Sequence, residues 1–179
     1  MAARPKLTRA DILDATLDLA DRSGLAAVTM RAVADQLGVT PMALYRHVGD
    51  KQGLLDGLVE RLLAEQPVPA AELPWRDRLR QHAAALRATA RHHPEVFGLL
   101  LARRAVTPAA RHTRDSVYRA LRDAGVPEPE VPRVERLLST FVLGFAASEA
   151  GGRFPDRAVA DADFGHAEKW FERLLPGGP

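Results

Sequence analysis

The sequence predicts an all-α protein: an N-terminal three-helix domain built on a helix-turn-helix, followed by a C-terminal helical bundle, about nine helices in all. Three observations carry this. Apolar residues recur at spacings of three and four, and no stretch alternates with the period of two that a half-buried strand requires. The apolar runs are bounded by Thr, Asp or Pro at their starts and Gly or Pro at their ends, the residues that start and stop helices. Residues 29–51, TMRAVADQLGVTPMALYRHVGDK, have the form of two short helices around one glycine. With 179 residues, 46% of them hydrophobic, the chain is long enough to bury a core.

Residues 1–7 read as a loose arm. Its Arg4 and Lys6 either order on phosphates or stay an ordinary terminus. Helix one begins at Thr8, where Thr8-Arg9-Ala10-Asp11 has capping-box spacing with Asp for the usual Glu. Ile12, Ala15, Leu19 and Ala20 make its stripe, widened by Leu13 and Leu17. Thr16 falls inside that stripe, where its hydroxyl can bond back to the helix. Ser23-Gly24 stops it.

Thr29 caps helix two, whose inner face holds Val33, Ala34 and Leu37. Gly38 stands where a helix end wants a left-handed residue. Thr40 is expected to cap helix three, 41–48, with Pro41 at its first position. Leu44 and Val48 point inward, four residues apart. Met42, Ala43, Tyr45, Arg46 and His47 are left to the outside and sides. A short anchored helix with an exposed Tyr-Arg-His cluster is what a major groove receives. Arg46 suits guanine edges, Tyr45 and His47 suit phosphates or thymine methyls, and Met42 and Ala43 suit apolar base contacts. Thr29, Arg31 and Lys51 are placed for phosphates.

Helix four, 50–65, starts at its cap Asp50 and carries a wide leucine face. Residues 67–74, PVPAAELP, mark the domain boundary. This gives a DNA-binding domain over 1–66 and a regulatory, ligand-binding and dimerisation domain over 67–179. Helix five runs from Trp75 to about His92, and helix six from Glu95 to about Arg103. Helix seven starts at Thr107-Pro108 and ends at Ala124. Helix eight, from about Pro132 to Ala150, is apolar on nearly every side and so predicted to be buried on all sides. Residues 153–162 read as loop. The last helix, 163–175, steps through Phe164, Ala167, Phe171 and Leu174, a seam for another helix.

The segment TMRAVADQLGVTPMALYRHVGDKQGLLDGLVERLL resembles the DNA-binding domain of the tetracycline-repressor family. WRDRLRQHAAALRA, HPEVFGLLL, LRDAGVP and LSTFVLGF resemble, more loosely, the regulatory domain of its tetracycline-repressor branch. The resemblance implies DNA contacts by Tyr45, His47 and Lys51, a rigid link through helix four, and a ligand-contacting position at His82, with Leu86 one turn on. It implies repression as the usual mode and a homodimer. Leu100 and Arg103 stand where the family's tetracycline–magnesium site needs a histidine and a threonine, so that ligand is not implied.

Phe97, Leu100, Leu101, Phe141 and Phe145 are candidates for a cavity wall or for plain core. Arg103 and Arg104 suit an acidic ligand or a helix C-terminus. Leu138 and Val142, with the last helix's seam, are the expected dimer contacts. The expected partners are a near-palindromic double-stranded operator, a small hydrophobic effector and a second copy of the chain.

Net charge is only +2, and residues 1–66 hold eight Lys and Arg against nine Asp and Glu. A basic surface must therefore come from arrangement, with Arg4, Lys6, Arg9, Arg31, Arg46 and Lys51 on one side. Cysteine is absent, which excludes disulfides and cysteine zinc sites. No His pair or His-carboxylate motif suggests a metal, and no catalytic motif appears. No secretory signal or bilayer-length run is seen, and the expectation is a cytoplasmic protein. Two other readings stay open: an interaction or ligand-binding module that does not read DNA, and an activator of the same fold. A small helical enzyme is the weakest reading.

Overall fold

The computed structural model describes residues 7–103 and 108–178. Among these residues all regular structure is helical. The head contains α1 (Arg9–Ser23), α2 (Met30–Leu37), α3 (Pro41–Val48) and α4 (Lys51–Ala64). The body contains α5 (Trp75–His92), α6 (Pro94–Phe97), α7 (Leu99–Ala102), α8 (Pro108–Asp123), α9 (Val131–Ala150) and α10 (Arg157–Leu174).

Local chemistry sets the head's boundaries. Thr8 and Asp11 close a reciprocal capping box at α1. The Thr16 hydroxyl donates to the Ile12 carbonyl at 2.6 Å, so a polar residue sits fully buried at no hydrogen-bonding cost. Gly38 ends α2 at φ 64°, ψ 36°, and the Val39 N–H then reaches the Ala34 carbonyl at 3.0 Å. Asp50 caps α4 by accepting from the Gly53 N–H at 2.9 Å. A Cβ at Gly53 would lie 1.8 Å from the Val48 carbonyl oxygen, so the corner between α3 and α4 closes only around glycine.

Ile12, Leu13, Val33, Leu44, Leu54 and Leu58 form the head's core. Val96 of α6 and Leu99 of α7 belong to the same cluster, so the body supplies part of the head's interior. Polar links reinforce that joint. His93 reaches Asp21 of α1 at 2.7 Å and Glu65, just past α4, at 3.2 Å. Arg103 reaches Asp56 at 2.8 Å and the Gln52 side chain at 2.7 Å, both on α4.

The body is arranged around α5, which packs on α8 and α9. Three expectations change here. The expected helix six is two single turns, α6 and α7, with Gly98 between them. The expected loop over 153–162 is partly helix: α10 starts at Arg157, capped by Asp156, which accepts from the Val159 N–H at 2.9 Å. The charged residues of that stretch look loop-like, but Ala160 is fully buried and Asp161 binds Arg87 and Arg91 of α5. Finally, α9 is not enclosed. Most of its length is half-buried and Leu137 is exposed, so one chain does not supply all its neighbours.

Candidate DNA interface and ligand cavity

The side chains of α3 divide as a docking helix requires. Leu44 and Val48 are buried in the head's core. Met42 is 70% and Tyr45 45% exposed, large apolar groups left in water with no intramolecular reason. Arg46 is exposed, and Ala43 and His47 are half-buried beside it. Arg46 and Lys51 have no ion-pair partner among the described residues. Lys51 lies at the α4 N-terminus.

Thr29 accepts from the Ala32 N–H at 3.0 Å through its side-chain oxygen, which leaves its own O–H to donate. Thr40 holds the cap position before Pro41 in extended geometry, but its side chain makes no capping bond. That departs from the expectation and leaves an exposed hydroxyl beside α3. Arg31 is exposed, with only a loose 3.8 Å pairing to Asp35. Arg9 does not join the basic face, because it is engaged by Glu60 at 2.7 Å. Arg4 and Lys6 lie outside the described residues.

Two adjoining cavities lie in the body. The first, about 110 Å³, is lined by α5, α8, α9 and α10; the second, about 250 Å³, extends toward α4 and α7. His82, Leu86, Val117, Glu135 and Ser139 border both. His82 is 5% exposed, with Nε2 3.0 Å from the Ser116 hydroxyl and Nδ1 unpartnered. Burial, aided by the nearby Arg78 charge, holds its pKa down at about 4.

The candidate ligand residues separate on these walls. His82, Leu86 and Phe141 border the first cavity, and Leu100 and Arg103 border the second. Phe97 is core, packed with Ala90 and Ala146. Phe145 sits in an aromatic cluster with Phe141, Phe154 and Phe164. Leu101 is exposed and Arg104 lies outside the described residues.

The dimer candidates are also redistributed. Phe164 and Phe171 face inward against Phe141 of the same chain, Phe164 stacked on its ring and Phe171 tilted to it, with centroids 6.0 and 4.9 Å away. Leu138 and Val142 border the first cavity, and Ala167 is half-buried. Only Leu174 of the seam is exposed, at 61%, next to the unforeseen Trp170 at 55%.

Sequence reasoning missed Ser116, Glu135, Ser139 and Glu168. A signal existed: Glu135 and Ser139 are one turn apart, polar residues at the edge of α9's apolar run. Among the described residues no cluster of His, Asp or Glu is placed to hold a metal ion, and no helix is long and apolar enough to cross a membrane.

A two-turn helix with exposed aromatic and basic side chains, rooted in a head whose core is completed by a hollow helical body, defines a helix-turn-helix transcriptional regulator. The family model described as "Bacterial regulatory proteins, tetR family" matches residues 12–58. The one described as "Tetracyclin repressor-like, C-terminal domain" matches residues 68–173. The chain belongs to the tetracycline-repressor family.

The HTH-type transcriptional repressor DrrR1 of Streptomyces coeruleorubidus is 30% identical over 98% of this chain and 67% of its own length. The chain thus spans about two thirds of the curated relatives it first matches. BioQ of Mycobacterium smegmatis superposes with a TM-score of 0.83 at 29% identity, covering 97% of this chain and all of that one. BioQ solved with its double-stranded DNA operator gives 0.73 at 31% identity, covering 82% and 89%. ActR of Streptomyces coelicolor, solved in complex with actinorhodin, gives 0.78 at 26% identity, covering 97% and 80%.

Proposed function

We propose that the protein is a ligand-responsive homodimeric repressor. It reads a near-palindromic operator through Tyr45, Arg46 and their neighbours on α3, and Thr29, Arg31, Thr40 and Lys51 hold the phosphates. The exposure of Met42 and Tyr45 beside the unpaired Arg46 is the observation that carries this reading. The BioQ structure with its operator supports it by likeness.

Two heads of a symmetric dimer reach major-groove faces about 34–36 Å apart. The cavities are the effector site, as the ActR complex suggests by likeness. The effector is a small, largely apolar molecule other than tetracycline–magnesium, because Leu100 and Arg103 replace the residues that ligand needs. Arg103 borders the second cavity and grips α4, so occupancy there acts on the helix that follows α3. A coupling of about 1–3 kcal/mol changes operator affinity roughly 5–150-fold. The site of action is the cytoplasm, and the protein is not an enzyme.

Selection of the protein against a random double-stranded DNA pool tests the proposal. A recovered near-palindrome is the expected result. Replacing Tyr45 and Arg46 with Ala is expected to abolish binding to that sequence while moving stability by less than about 0.5 kcal/mol, since both are exposed. Unchanged specific affinity in that variant would sink the assignment of α3.

A further inference from the structure

We infer that the cavity bordered by α5, α8, α9 and α10 takes an amphipathic cation: a compact apolar molecule with one protonated amine, countered by the carboxylates of Glu135 and Glu168 and hydrogen-bonded by His82. This rests on reading that cavity as the effector site.

The walls are mainly apolar, with Leu86, Val117 and Phe141 among them, so most of a ligand there must be apolar. The charges on the walls do not balance. Arg80, Glu135, Glu168 and Glu172 are the charged side chains that border the cavity. Arg80 is already engaged, 2.7 Å from Glu172 and 3.7 Å from Asp77. No described residue forms an ion pair or hydrogen bond with Glu135 or Glu168. Two carboxylates thus border an apolar space without a direct ion-pair partner; Arg80 and Arg87 act on Glu168 only at longer range. Burial, with Glu172 nearby, raises the Glu168 pKa more than the charges of Arg80 and Arg87 lower it, so a cation in direct contact would favour its ionised form.

His82 is the independent pointer to a ligand. It is more than nine-tenths buried, it borders the cavity, and its Nδ1 has no partner. A buried polar atom left this way costs stability unless something else bonds it. The ring is neutral at physiological pH, so it adds no positive charge to repel a cation.

An anionic effector fits worse. It would meet Glu135 and Glu168 directly. Of the two arginines on the adjoining cavity, Arg103 is held by Asp56 and Gln52, and Arg114 is not free either. A neutral effector would leave both carboxylates without a direct partner.

Three probes of one shape separate these cases: 2-naphthylmethylamine, 2-naphthylmethanol and 2-naphthoate, titrated calorimetrically into the intact protein at neutral pH. The amine is expected to bind about tenfold or more tighter than the alcohol, the scale of a charge-assisted bond, with the naphthoate weakest. In a Glu135→Gln/Glu168→Gln double variant the amine is expected to fall to the alcohol's affinity, and the alcohol to be unchanged. An alcohol or naphthoate as tight as the amine, or an amine preference that survives in the double variant, overturns the cation proposal alone. No binding by any probe overturns the effector-site reading with it. A Leu86→Trp variant, which fills the space, is expected to lose all binding; retained amine binding would place the site elsewhere and overturn the proposal.

Discussion

At His82, burial and the neighbouring Arg78 keep the imidazole neutral down to about pH 4, against an ordinary value of 6.5. The unfolded chain takes up a proton at His82 below pH 6.5, while the folded chain refuses it until about pH 4. Native stability from this group is therefore complete above pH 6.5 and is lost as pH falls from there to about 4. The loss is about 1.4 kcal/mol per pH unit at most. Urea midpoints of the native chain and of His82→Gln, measured at neutral and mildly acidic pH, are expected to converge on acidification; parallel curves would refute this. At this scale the legible interactions were the short-range ones. Thr8 with Asp11, Thr16 with Ile12 and Asp50 with Gly53 are three or four residues apart, and spacing alone announces them. Arg9 with Glu60, and His93 with Asp21, join distant segments, and nothing local marks them.

Element by element, α10 shows how a helix is held by charge as well as apolar packing. Arg87 of α5 is buried, reaches Glu149 of α9 at 2.9 Å and Asp161 of α10 at 2.7 Å, and lies over the Phe164 ring at 4.3 Å. Arg87→Ala is expected to lower stability by about 2–3 kcal/mol in urea unfolding, less than a fully orphaned charge because Arg91 still holds Glu149 at 2.6 Å. At the other end, Gly53→Ala is expected to open the α3–α4 corner, lowering both the melting temperature and DNA affinity. A variant with native melting and native binding would show that the corner tolerates a side chain. Most helix periods were readable because one face of the helix is apolar; the first turns of α10, rich in charge, were not. The partner of each face was not readable. Phe164 and Phe171 make the same stripe whether they meet a second chain or Phe141 of their own.

For the molecule as a whole, the exposed large apolar residues of α9 and α10 are Leu137, Val159, Trp170 and Leu174. These, and not Phe171, are where a second copy is expected to pack. Trp170→Asp with Leu174→Asp is expected to shift light scattering from dimer toward monomer while leaving helix content intact. Phe171→Asp is expected instead to destabilise each chain, since its ring packs inside. A dimer unmoved by the double change would place the interface on another face. The head's interior carries a further consequence, for chimeras. Val96 and Leu99 plug the floor of the DNA-reading unit from beyond the proline-rich connector. A graft cut at that connector would carry the proposed groove-reading residues of α3 and leave the floor beneath them open. Exchange of operator preference between relatives then requires the α6–α7 turns to travel with the head, or a host whose own turns present matching apolar side chains at those two positions.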